Sequence, residues 1–155
     1  MPSVSENTFV LHQQTRQNIL ALLDAHTTEQ LNRIPEGFNN NLVWNAGHVI
    51  ATQELLVFAL GGHRTPSGRD FIDRYRKGSR PEGPADTEEL AYIRAELLEG
   101  NRRLKEAVGD LDWSEYQAYP TSYGVTLSTV AEAIEFNNMH EAMHLGTMLA
   151  LRKVL

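Results

Sequence analysis

Four stretches of the chain space their apolar residues with the roughly 3.6-residue period of a helix, and none alternates strongly enough to read as a strand. No other feature limits the fold as much. The first stretch runs from about Ser5 to His26. Its apolar set is Phe9, Ile19, Leu20, Leu22 and Leu23, with Gln13, Gln14, Arg16 and Gln17 on other faces. Thr27 to Arg33 reads as a short extra turn, stopped by Pro35-Glu36-Gly37. The second helix starts near Asn40 or Asn41, either of which can cap it. It continues through Leu42, Ala46, Val49, Ile50, Leu56, Val57 and Leu60 and ends at Gly61-Gly62. The third starts at Asp86 or Thr87, with Glu88 and Glu89 well placed against the helix dipole. Leu90, Ile93, Leu97, Leu98, Leu104 and Val108 form its stripe; Gly100 interrupts it and Gly109 closes it. Leu111 to Tyr119 reads as a short helical turn and a loop, carrying Trp113, Tyr116 and Tyr119. The fourth helix begins near Thr126, capped by Thr126 or Ser128, and runs to the C-terminus.

Four amphipathic helices in 155 residues fit one domain over residues 1–155, an all-α four-helix bundle. The connection from His63 to about Asp86 is long and holds three of the six prolines, Pro66, Pro81 and Pro84. A crossover of that length lets the second and third long helices run in the same direction. Connections this long tend to be functional or mobile. Its part from Arg64 to Arg80 carries six basic and two acidic residues, in a chain whose net charge is −6. One reading is a solvated crossover; the other is a basic rim that attracts an anionic substrate.

The acidic balance argues against a general nucleic-acid binder. No apolar run is long enough to span a bilayer, and the N-terminus lacks the basic and apolar regions of a signal peptide. The chain has no cysteine, which excludes disulfides, thiolate ligands and a cysteine nucleophile, and is compatible with a cytoplasmic location. A metal site in this chain must therefore use His, Asp, Glu and water.

His140 and His144 stand four residues apart in the fourth helix, so their imidazoles project from one face, one turn apart. The spacing alone is met incidentally as well as in metal sites. His140, His144, Asn137, Ala133, Val130, Thr147, Met148 and Leu151 fall on one broad stripe, apolar except near the histidines, which places them toward the interior. Buried imidazoles need partners, and a metal is one way to supply them. His48 is the candidate third ligand: on the second helix it shares a face with Asn45, Thr52 and Leu55, and Gly47 beside it permits close approach. The other reading makes His48 a core histidine bonded to a backbone carbonyl. Three imidazoles with an open fourth position suit a catalytic divalent ion. His12 lies on the first helix with nothing nearby to argue for a ligand, and His63 reads as an exposed loop residue. The string His140-Glu141-Ala142-Met143-His144 formally matches the zinc-protease pattern H-E-x-x-H. A small all-helical chain offers no edge strand to hold a peptide. Glu141 is also turned about 100° from His140, toward a neighbouring helix or solvent.

Trp44-Asn45-Ala46-Gly47-His48, Tyr75-Arg76-Lys77-Gly78-Ser79-Arg80-Pro81 and His140-Glu141-Ala142-Met143-His144-Leu145-Gly146, in that order, resemble the DinB-like, or YfiT-like, metal-dependent proteins. The resemblance spans nearly the whole chain. Many members carry Gln shortly after the glycine that follows the last histidine; Thr147 follows Gly146 here, as in a divergent subgroup. The resemblance implies a four-helix bundle, often a homodimer, with a three-histidine site for nickel, zinc or a similar divalent ion. The ligands would be His48, His140 and His144. Relatives include hydrolase-like proteins and thiol-dependent transferases or isomerases that use a small thiol such as bacillithiol or mycothiol.

Two functions follow from these residues. In the first, a metal-dependent enzyme activates water or a low-molecular-weight thiol for hydrolysis or S-transfer, acting on a small molecule. Asn137, one turn before His140, would orient a ligand there, and the basic crossover would recognise carboxylates on the thiol. No general base is apparent. In the second, the protein is a non-catalytic metal-binding or stress-response module, with the aromatic loop from Trp113 to Tyr123 making contacts.

Overall fold

Side-chain caps open the long helices. The computed structural model describes residues 2–155. Helix α1 spans Glu6–Asp24 and begins at Ser5, whose Oγ accepts from the Thr8 N–H at 3.2 Å. The short turn α2, Thr28–Asn32, opens with a reciprocal capping box between Thr27 and Gln30. Asn41 caps α3, Leu42–Glu54, and Asp86 caps α5, Thr87–Asp110, each accepting from an N–H three residues on. Such a cap contributes about 1 kcal/mol. α3 runs on into a π-helical turn, Leu55–Ala59.

Four expectations are corrected. The crossover, read as a connection with no helix of its own, contains one: α4 spans Gly68–Tyr75, with Ile72 and Tyr75 buried one turn apart beside the charged Arg69, Asp70, Asp73 and Arg74. Gly100 does not interrupt α5 and Gly109 does not close it; the helix passes through both. A two-stranded antiparallel hairpin, β1 at Tyr119–Pro120 and β2 at Thr126–Leu127, occupies what read as loop and helix start. Helix α6, Val130–Leu151, is accordingly capped by Thr129 rather than Thr126 or Ser128.

The bonds between helices fix their directions. α1 runs against α5: Lys105 reaches Glu6, Asn101 the Phe9 carbonyl, Arg16 the Leu97 carbonyl, and Arg94 reaches Asp24. α1 runs with α6, since Asn138 meets Thr8 and Glu141 meets Arg16. α3 runs against α6, with His144 beside Asn45 at one end and Leu56 clustered with Ala133 toward the other. It follows that α3 and α5 run the same way, as the long crossover allows. The core lies in two main parts. One gathers Ile19, Leu23, Val49, Ile50, Ile93 and Leu97; the other Phe9, Val57, Leu104, Trp113 and Ile134. Two glycines permit contacts that a methyl would prevent. A Cβ on Gly61 would stand 2.6 Å from Trp113 Cζ3, and one on Gly47 would stand 2.6 Å from Tyr75 Cγ. The close neighbour that Gly47 admits is therefore α4. No helix among the described residues is long and apolar enough to cross a membrane.

Candidate metal centre

His48 on α3 and His140 and His144 on α6 come together. Their ring centroids are 4.6 to 5.2 Å apart, and one ring nitrogen from each lies within 4.8 Å of the others. Tetrahedral bonds of ~2.0–2.1 Å would set ligand nitrogens about 3.4 Å apart. Side-chain adjustments on the scale of an ångström separate this cluster from a ligating one. His48 is buried, while His140 and His144 are half-buried.

Hydrogen bonds orient two of the rings. His48 Nδ1 donates to the Tyr75 carbonyl at 2.8 Å, which leaves Nε2 with its lone pair, 3.3 Å from Thr52 Oγ1. His48 is thus bonded to a backbone carbonyl, and it also belongs to the three-histidine group. His144 Nδ1 donates to Asn45 Oδ1 at 2.8 Å. A ligating histidine commonly donates its second nitrogen to such a carbonyl or carboxylate, which fixes its tautomer. His140 Nδ1 is buried with no hydrogen-bond partner. An orphaned imidazole nitrogen beside two oriented ones fits a site completed by an ion.

Trp44 stacks on His48, centroids 4.5 Å apart and planes 12° from parallel. Its Nε1 donates to Ser79 Oγ at 3.0 Å, so the chain after α4 closes behind the indole. Burial holds all three imidazoles below the ordinary value of 6.5. For His48 burial outweighs the Tyr75 bond and brings it to about 4. For His144 burial, then the neighbouring His48 and His140, bring it to about 3. The rings are neutral near pH 7, the form that binds metal.

Glu141 faces the other way. It is fully buried, and Arg16 holds it with Nε at 2.5 Å from Oε1 and Nη2 at 3.0 Å from Oε2. His12 Nε2 donates to the same Oε2 at 2.9 Å, and Asn101 Nδ2 donates to His12 Nδ1 at 2.8 Å. Burial alone would raise the carboxyl; Arg16 and then His12 outweigh it and hold it well below the usual carboxylate range. The H-E-x-x-H match is therefore formal only, because its glutamate is engaged on the opposite side of the helix. Asn137 belongs to this second cluster, its Nδ2 donating to Glu141 Oε2 at 2.6 Å. The structure buries Asn137 there, while its Oδ1 has no partner.

His63 stands apart, with Nε2 on the Asp112 carbonyl at 2.8 Å and its ring against Trp113. It is half-buried, not exposed. The sequence reading gave no role to Arg16, Asn101 or Tyr75; of its two directions for Glu141, neighbouring helix or solvent, the structure takes the first, and Asn45 shares the His48 face as read. A signal for Arg16 was present: Phe9, His12, Arg16, Ile19 and Leu23 recur at intervals of three and four, and all are buried. A cavity of about 590 Å³ shares Trp44 and Tyr75 with the site, but none of the three histidines lines it. A ligand meeting the histidines would not sit there.

A solved structure described as a conserved protein from Enterococcus faecalis is similar over 99% of this chain and 98% of its own, with 14% identity and a TM-score of 0.65. That likeness speaks to the fold. No curated protein matches the chain. The model of the DinB superfamily matches residues 11–148, from α1 through most of α6 and across all three clustered histidines, and the chain belongs to that superfamily.

Proposed function

We propose that the protein is a divalent-metal-dependent enzyme in which His48, His140 and His144 are the ligands and a fourth position accepts a small-molecule nucleophile. The supporting observation is the convergence of three neutral imidazoles, two of them held through Nδ1 by Tyr75 and Asn45. An all-imidazole donor set suits zinc or nickel. A divalent ion supplies Lewis acidity that lowers the pKa of a water or thiol toward neutrality.

The surrounding residues favour a thiol over water. Water activation profits from a carboxylate base, and the one carboxylate in the His140–His144 turn is locked to Arg16 and His12. A thiol is the more acidic of the two and needs that help less. The chain has no cysteine, so the thiol arrives as a low-molecular-weight cosubstrate and the reaction is an S-transfer. An anionic cosubstrate has a place to bind. On the crossover, Arg69, Arg74 and Arg76 pair with Asp73 or Glu89, whereas Lys77 and Arg80 have no ion-pair partner among the described residues. Lys77 lies near enough to His48 to oppose its protonation.

A homodimer fits the exposed face of α6, where Met143 and Leu149 stand in an uncharged run from Ala142 to Leu151. Sedimentation as a monomer would remove that part of the reading. The enzyme itself is tested by metal analysis and by thiol-conjugation assays with and without a chelator. One metal per chain and chelator-sensitive conjugation are expected. Stoichiometric metal with no turnover across a broad panel of thiols, electrophiles and esters would instead indicate a non-catalytic metal-binding module.

A further inference from the structure

Asn45 lies three residues before His48 on α3, yet its carboxamide reaches α6. Its Oδ1 is 2.8 Å from His144 Nδ1. The other end of the amide settles which way it faces. Nδ2 donates to Asn40 Oδ1 at 2.9 Å and to the Asn41 carbonyl at 2.8 Å. Both amide hydrogens are thereby used, and only the oxygen is left for His144. An amide oxygen can only accept. His144 Nδ1 must therefore carry the hydrogen, and the lone pair is on Nε2. Asn45 is also buried, so water does not compete for that oxygen.

We propose that Asn45 is a positioning residue of the metal centre: its carboxamide oxygen, turned toward His144 by the bonds to Asn40 and Asn41, sets the tautomer and ring orientation of that histidine. The inference rests on the three-histidine reading above. It separates the three rings by how they are held. His48 is held by a backbone carbonyl, His144 by a side chain, and His140 Nδ1 has no partner. Asn45 is the one of these supports that a single substitution removes.

Two variants separate this role from a structural one. Asn45→Asp and Asn45→Ala both lose the donations that tie residue 45 to Asn40 and Asn41. Only Asn45→Asp keeps an acceptor for His144 Nδ1–H. A purely structural residue would make the two variants equally weak. The tautomer is read in the metal-free protein from long-range nitrogen–proton spectra of the imidazole rings, and zinc affinity from competition with a chromophoric chelator. We expect Asn45→Ala to give mixed His144 tautomers and zinc binding weaker by about 10–100-fold, with Asn45→Asp retaining Nδ1–H and staying within about threefold of wild type. Equal losses in the two variants would overturn the inference. So would an Asn45→Ala protein with one Nδ1–H tautomer and wild-type affinity. A His144→Ala control that binds zinc as wild type does would overturn the three-histidine reading itself.

Discussion

Two polar clusters flank helix α6, and adjacent residues belong to different ones. Glu141 joins Arg16, His12, Asn101 and Asn137 in a closed set, where the carboxylate receives four hydrogen bonds from three partners besides Asn101. His140 joins His48 and His144 in an open set, whose nitrogens are left facing one another. Both sets are expensive to bury. The closed one offsets that cost with paired charge and hydrogen bonds. In the open one His140 Nδ1 has no partner, and the ion of the proposed enzyme would complete it. In the proposed enzyme neighbouring positions have opposite duties: residue 141 secures the fold, and residues 140 and 144 serve the ligand.

Breaking the open set should have the largest effect on metal and little on the fold. His144→Ala is expected to abolish stoichiometric metal uptake while the metal-free protein melts near the wild-type temperature. Elemental analysis beside a thermal scan reads both, and unchanged metal content would end the assignment. Breaking the closed set should do the reverse. Arg16→Ala leaves a buried, uncompensated carboxylate and is expected to cost about 3–5 kcal/mol in urea unfolding. A loss below ~1 kcal/mol would mean that Glu141 reaches solvent or another cation.

Acid should dissect the two clusters in order. His48 and His144 are held at about 4 and about 3, below the ordinary 6.5, so between those values the folded chain binds fewer protons than the unfolded one. Their contribution is complete above pH 6.5 and is lost as pH falls toward 4 and below. Protons compete for those rings only over the same window, so metal should be largely held at pH 5 and leave as pH falls toward 4 and below. Glu141 is depressed below its ordinary 4.5, so its contribution is lost only at more acidic pH. Metal lost in full by pH 5 would count against these imidazoles as its ligands, and a fold that fails before the metal leaves would reverse the order. The smallest effect is expected at His63, outside both sets: His63→Ala should leave metal content unchanged, and a loss there would show that the third ligand is misassigned.

Much of the arrangement was legible because helices advertise themselves over many turns. Asn41 and Asp86 cap as their residue types suggest, and the three histidines meet because each sits on an inward stripe. Short elements do not carry that redundancy. α4 has two turns, and its buried Ile72 and Tyr75 are diluted by five charged or glycine residues of the same helix, which lies between Pro66 and Pro81. The hairpin strands have two residues each, too few for alternation to show. Arg16 failed for a different reason. A charged residue on an apolar stripe reads as an exception until its partner is known, and the partners lie 125 residues apart. Gly100 looked like a break because its use lies on another helix: a Cβ there would stand 3.3 Å from Arg16 Nη1.

The two oriented imidazoles differ in how they can be lost over generations. His48 leans on the Tyr75 carbonyl, a group present whatever side chain occupies position 75. Its weak point is Gly47, where even an added methyl would run into the Tyr75 ring and push that carbonyl away. His144 leans on a carboxamide that most substitutions erase. A drifting lineage can therefore exchange the Tyr75 side chain with less risk to its neighbour's register than it can exchange Asn45. The same centre carries one support that heredity cannot easily delete and one that it can, so diversification among relatives should begin at the side of the site held by α6.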